Sequence, residues 1–174
     1  MTSLDAATLQ HFLELAGERL EGDWVVIGGC VLPLLGVSHR VTVDIDVAGP
    51  DEADMTQMRV LMEIAEELGL SPTAINQAGS FFLRAVEGWQ EHLVVLHRGA
   101  GATLHVPDAT LFLLLKLRRL SETDLDDCLA MIEHVRARGV DLESDRIRAA
   151  IREHLEASPP PERRARLDAL LRDL

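Results

Sequence analysis

Between Arg40 and Val47 the chain alternates without a break: Val41, Val43, Ile45 and Val47 fall on one side of an extended backbone, and Arg40, Thr42, Asp44 and Asp46 on the other. A helix would scatter the four apolar residues around its circumference. Period two gathers them on one face, so the segment predicts a half-buried strand with a charged outer face. Such a strand needs a neighbour to satisfy its backbone and a layer to cover its apolar side. The neighbour lies upstream, where Trp24-Val25-Val26-Ile27 is an apolar, largely β-branched run stopped by Gly28-Gly29, the pattern of a buried strand delivered into a tight turn. A short helix over residues 30–35 follows, with Pro33 in its first turn and Gly36 as its left-handed stop.

Around this pair the periodicities change in order. Leu4, Leu9, Phe12, Leu13, Ala16 and Leu20 recur at helical spacing behind Ser3, a candidate N-cap, and predict an opening helix over residues 4–20. Residues 51–68 read as a helix closed by Gly69. Residues 80–86 and 92–96 read as two strands around Glu87-Gly88-Trp89, and residues 103–106 as a further short strand. From Pro107 onward the pattern is helical, over residues 108–120, 123–138, 142–157 and 161–171, with Pro159-Pro160-Pro161 as the clear linker. The expected architecture is α+β: a mixed sheet with flanking helices in an α/β core over residues 1–106, and a helical C-terminal extension over residues 107–174 packed on it.

Composition narrows the setting. No apolar run among the 174 residues approaches the roughly 20 that a spanning helix needs, and the first ten residues lack a signal-peptide pattern, so the cytoplasm is the expected location and no membrane is expected as a partner. Cys30 and Cys128 stand far apart, without Cys or His at metal-ligand spacing, and read as buried thiols. His92, His97 and His105 likewise lack ligand spacing, and His39 is a loop histidine ahead of the charged strand. With 17 basic against 29 acidic residues the net charge is −12, which opposes nonspecific contact with a phosphate backbone. The balance is uneven: residues 1–117 carry 6 basic and 16 acidic groups, and residues 118–174 carry 11 and 13. A polyanion contact would therefore draw on Arg118, Arg119, Arg136, Arg138, Arg146, Arg148 and Arg152, unless these only solvate helix faces.

Two carboxylates at i and i+2 of a strand project from one face about 6–7 Å apart along the backbone, and their oxygens can converge on divalent ions. That arrangement suits phosphoryl or nucleotidyl transfer, in which metals polarise a phosphate and steady a leaving pyrophosphate. Gly28-Gly29 adds a turn where backbone N–H groups can approach phosphate oxygens with no side chain in the way. Each feature alone has an ordinary explanation, a turn or a solvated strand edge. Val26-Ile27-Gly28-Gly29, Gly36, Arg40, Thr42 and Asp44-Ile45-Asp46 together, in this order, resemble the signature of the nucleotidyltransferase fold shared with DNA polymerase β. The resemblance is closest to the minimal bacterial branch that includes abortive-infection toxin-type nucleotidyltransferases.

The resemblance implies that Gly28 and Gly29 line a triphosphate pocket, that Asp44 and Asp46 ligate Mg²⁺ (or Mn²⁺) with an NTP as substrate, and that Arg40 and Thr42 flank that site. It also implies a lysine on a helix followed some ten residues later by an aspartate, here Lys116 and Asp126 with Asp127 beside it. Lys116 is the only lysine against sixteen arginines, which suits a phosphate-binding point charge, although a core helix ending in a snorkelling lysine reads the same. A third catalytic carboxylate is expected on the strand near residues 91–96, where Glu91 is the one candidate.

Two readings follow from the resemblance. One is a magnesium-dependent enzyme moving a nucleoside monophosphate from an NTP to an acceptor hydroxyl. Few aromatic platforms and the negative charge favour a small molecule or protein over nucleic acid as that acceptor. The other is a degenerate binding or regulatory module of a bacterial defence or toxin-antitoxin pair, with a cognate antitoxin or other protein as partner. An ordinary α+β interaction domain with decorative aspartates is a third, and it expects no metal dependence.

Overall fold

The computed structural model describes residues 4–37, 42–50 and 54–174. Contacts divide the chain into two compact units, Met1–Pro107 and Asp108–Leu174.

The first unit opens with helix α1 (Ala6–Arg19), whose N-cap is Asp5, its carboxylate accepting from the Thr8 N–H at 2.8 Å. Ser3, the cap expected from the sequence, lies outside the described residues. Strand β1 (Gly22–Ile27) ends in a 3₁₀ turn over Gly28–Cys30 that runs into the single turn of α2 (Val31–Leu34). Then come β2 (Ile45–Ala48), α3 (Met55–Glu67), the two-residue β3 (Ile75–Asn76), α4 (Ser80–Arg84), β4 (Leu93–Arg98) and β5 (Ala102–Pro107). The five strands form one mixed sheet in the order β3-β2-β1-β5-β4. β1 is antiparallel to β2 and parallel to β5, β2 is parallel to β3, and β4 is antiparallel to β5. The fold is α+β.

The alternating segment holds its strand only in part. Ile45 and Val47 are buried as period two requires, but β2 starts at Ile45, and Val43 is 36% exposed rather than covered. The short neighbour β3 explains this, since it reaches back only to Ile45 and offers no ladder to residues 42–44. Thr42 instead bridges Leu4, whose N–H donates to the Thr42 carbonyl at 2.9 Å.

Of residues 80–86, expected as a strand, Ser80–Arg84 form α4. Ser80, Leu83 and Arg84 sit at i, i+3 and i+4: Ser80 Oγ meets the Val47 carbonyl, Leu83 is buried, and Arg84 donates to the Gly49 carbonyl at 2.9 Å. Helical spacing lets those three face the sheet, while Phe81 and Phe82 remain exposed. The strand partner of β4 is therefore β5, reached through the turn at Gly99, whose N–H donates to the Ala102 carbonyl. At this turn α1 and the hairpin meet backbone to backbone: the Gly101 N–H donates to the Gly17 carbonyl at 3.0 Å, and a Cβ on Gly99 would collide with Gly17.

The second unit contains α5 (Ala109–Leu117), α6 (Glu122–Arg138), α7 (Ser144–Glu156) and α8 (Pro161–Asp173). Each helix packs on two others, α5 and α8 both lying against α6 and α7. Leu111, Leu113, Leu117, Ile147, Ile151, Leu167 and Leu170 are buried. Arginines of α8 close the end of α5: Arg163 donates to the Leu117 carbonyl at 2.8 Å and Arg166 to the Leu120 carbonyl at 2.6 Å, satisfying acceptors that a helix terminus leaves open. Among the described residues no helix is long and apolar enough to cross a membrane.

Candidate functional site

The site is built where β1 stops. Ile27 pairs with Asp46, and Asp46 on its other side pairs with Asn76, so Ile27, Asp46 and Asn76 form a row across three strands. Directly paired residues project to the same face of a sheet, so their side chains share one surface. Over that surface comes the segment leading into α4: a Cβ on Gly79 would strike the Ile27 side chain.

Gly28 follows Ile27 with φ +79°, and a Cβ placed on it would lie 2.5 Å from Asp46 Oδ2. Two independent reasons thus require glycine: the left-handed backbone and the carboxylate pressed against its Cα. Gly29 continues the 3₁₀ turn and is half-buried, and the Cys30 thiol donates to the Ile27 carbonyl at 3.1 Å, fixing the turn to the strand end. The helix beyond the glycines is only four residues long, too short for a helix-dipole anion site. What the glycine turn demonstrably does is admit the Asp46 carboxylate.

Gly28→Ala should lower the midpoint of thermal unfolding by roughly 3–6 °C, from about 1–2 kcal/mol of backbone strain plus the displaced carboxylate. Adding Asp46→Ala should recover the collision part and leave the strain. If the two substitutions prove additive, the contact between Gly28 and Asp46 is not what the glycine serves.

Asp44 lies two residues before Asp46, exposed, just ahead of β2, and its carbonyl accepts from the Thr42 hydroxyl at 3.0 Å. Thr42 therefore shapes the approach to the strand. Arg40 and His39 lie outside the described residues.

Glu91 lies apart from β2 in the order of the sheet. It sits exposed in a 3₁₀ turn (Trp89–His92) before β4, and β4 stands three strand steps from β2, roughly 14 Å at about 4.8 Å per step. Among the described residues no three His, Cys, Asp or Glu side chains group as a metal site. His105 instead approaches the Trp24 carbonyl, and the His97 ring lies where a Cβ on Gly17 would stand.

Lys116 lies in the helical unit. Its ammonium donates to Asp124 Oδ1 at 2.9 Å and Asp127 Oδ2 at 2.8 Å, and Arg119 donates to both oxygens of Asp124. Asp126 is exposed. The reason is helical phase: residues 124 and 127 share a face of α6, and 126 turns away from it. Asp124 also closes a capping box with Ser121. Burial raises the Asp124 carboxyl, but the hydrogen bonds from Arg119 and Lys116 outweigh it and hold the group well below the usual carboxylate range. Beside this network burial pushes the Cys128 thiol up to about 12, and both cysteines are buried and outside any disulfide, as the sequence predicts.

Sequence reading had missed Asp124, although Ser121-x-x-Asp124 is a legible capping pattern, and it had missed Asn76, whose two-residue strand leaves no periodicity to find. The C-terminal arginines expected to meet a polyanion are largely engaged nearby. Of the seven, Arg119 pairs with Asp124, Arg146 with Glu143 and Arg148 with Asp145, and Arg136 donates to the Asp173 carbonyl.

Neither a curated protein nor a solved structure matches the chain. One family model does, over residues 6–164, and it carries the description nucleotidyltransferase of unknown function (DUF6036). That span takes in both units, including the Gly28-Gly29 turn, Asp44, Asp46 and the Lys116 network. The chain belongs to this nucleotidyltransferase family.

Proposed function

We propose that the protein is a magnesium-dependent nucleotidyltransferase that binds an NTP against Asp44 and Asp46 and transfers its nucleoside monophosphate to an acceptor hydroxyl, which forms the new phosphoester and gives up its proton as the α–β phosphoanhydride breaks and pyrophosphate leaves. The observation that carries this reading is the Asp46 carboxylate held against Gly28 at the end of β1, with Asp44 two residues away on the approach to the same strand. Mg²⁺ suits this donor set: it usually keeps several waters and binds through one or two carboxylates plus substrate phosphates, so a site without a third protein ligand fits a metal that arrives with the nucleotide. When bound, such an ion supplies charge neutralisation and polarisation at the phosphates.

The chain's own residues would do the rest. Gly28 keeps side-chain bulk away from the phosphates, Asp44 and Asp46 orient the ion, and the Ile27 face beneath Gly79 walls off one side of the pocket. The acceptor is more readily a small molecule or a protein than a long nucleic acid. The net charge is −12, and four of the seven C-terminal arginines are occupied within their own unit.

A second reading keeps the nucleotide and drops the transfer, leaving a binding or regulatory module. It is favoured by one observation, that the strand which Glu91 precedes stands three strands from β2, and no three His, Cys, Asp or Glu side chains among the described residues group as a metal site. Thermal shift with each NTP, with and without Mg²⁺ or Mn²⁺, followed by incubation with labelled NTP and separate pools of small alcohols, proteins and tRNA, tests both. Metal-dependent stabilisation with label transfer is the expected result. Stabilisation without transfer selects the module, and no metal-dependent stabilisation by any NTP removes both readings.

A further inference from the structure

Asn76 is the one polar residue besides Asp46 in the row that crosses β1, β2 and β3. It is the direct partner of Asp46 in the parallel β2–β3 ladder, so its side chain leaves the sheet on the Asp46 face, one strand spacing of about 4.8 Å away. It is half-buried, which leaves part of it open to a ligand. The orientation of its amide is settled by a hydrogen bond: the Ala78 backbone N–H donates to Oδ1 at 3.0 Å. Only the oxygen can accept there, so the NH₂ group occupies the other branch of the amide. Among the described residues nothing accepts from Nδ2.

A donor in this place complements what the rest of the face lacks. Asp44 and Asp46 are acceptors that repel a triphosphate until a cation intervenes, Ile27 is apolar, and Gly28 offers no side chain. The β3–α4 connection is held against the sheet by Ser80 Oγ on the Val47 carbonyl and by Arg84 on the Gly49 carbonyl, so the amide is carried on an anchored segment. We infer that Asn76 is a ligand-contacting residue of this site, its Nδ2 donating to a phosphate oxygen of the nucleotide bound against Asp46. This rests on the nucleotide-binding reading above and adds to it a protein donor that holds the phosphates independently of the metal.

Asn76→Asp is the discriminating variant. It is isosteric and keeps an oxygen to accept from Ala78, so the turn survives, but it replaces the NH₂ donor with an acceptor. Titrating parent and variant with Mn²⁺ alone, with Mn²⁺-NTP and with Mn²⁺-tripolyphosphate should show Mn²⁺ bound at least as tightly by the variant. Affinity for NTP and for tripolyphosphate should both fall about tenfold or more, with the unfolding midpoint unchanged within about 2 °C. Asn76→Ser, which adds no charge, should show the same loss in weaker form. A variant that binds both ligands as well as the parent overturns the assignment while leaving the nucleotide site standing. Loss for NTP but not for tripolyphosphate moves the donor to the nucleoside and overturns the phosphate contact. Failure of the parent itself to bind either ligand overturns the nucleotide reading and this inference with it.

Discussion

Replacing Asp46 by Asn should abolish metal-dependent nucleotide binding while leaving the fold intact, and the Asp44→Asn/Asp46→Asn double variant should do so more completely. Partners that merely orient a ligand cost about 10–100-fold in metal affinity when removed, so loss of a charged ligand itself should exceed about 100-fold. The fold has little reason to suffer. Asn has the shape of Asp, Asp44 is exposed, and Asp46 sits at the end of a ladder whose backbone hydrogen bonds do not involve its carboxylate. Calorimetric titration with Mn²⁺-NTP, read beside thermal unfolding without ligand, separates the two effects. A double variant that binds as tightly as the parent would show that the carboxylates do not hold the metal. One that loses its cooperative unfolding would show that the Asp46 carboxylate beside Gly28 is structural.

The parts of this site that could be read from the sequence are those whose physics is local. Trp24 to Ile27 ending at Gly28 is a strand and a turn on its own evidence, and Ile45 and Val47 alternate with Asp46 as period two requires. The helices of the second unit were legible because each carries its own apolar stripe and its own stop, such as Gly139 at φ +63° after α6.

What failed depended on partners distant in sequence. Val43 has the right residue type for a core strand, but β3 is too short to extend the sheet to it. Residues 80–86 have strand-like composition, yet the sheet surface they cross offers carbonyls at Val47 and Gly49 that suit Ser80 and Arg84 one helical turn apart. Other positions depend on tertiary topology as well: Glu91 precedes β4, and its place relative to Asp46 follows from strand order, which no local pattern encodes. Asp126, with Asp127 beside it, follows from the resemblance, and the phase of α6 is what sets Asp124 and Asp127 against the Lys116 ammonium.

Lys116→Met should destabilise the helical unit by about 3–5 kcal/mol, because it leaves two buried carboxylates without their shared cation. The side chains of Asp124 and Asp127 are 2% and 4% exposed and Lys116 is 11% exposed, so water cannot replace the lost ammonium, and Arg119, though it reaches both Asp124 oxygens, is itself 76% exposed. For a chain of this size that corresponds to a fall of about 10–15 °C in unfolding midpoint. The pH dependence carries the sign. In the parent Asp124 is held below its unfolded value, so its contribution is fully present above the ordinary carboxylate range and is lost only as pH falls through the depressed folded value. In Lys116→Met Asp124 keeps the Arg119 and Ser121 donors but loses the ammonium, so its carboxyl is held less far below the unfolded value. The deficit should therefore be full from pH 8 down to about 5 and begin to shrink only as pH enters the ordinary carboxylate range. Lys116→Arg should recover little, since a planar guanidinium does not fit the point between two carboxylates that a compact ammonium fills. Unfolding of the three proteins followed from pH 4 to 8 gives the result directly. A Lys116→Met protein as stable as the parent at every pH would show that the α5–α6 network does not depend on this ammonium.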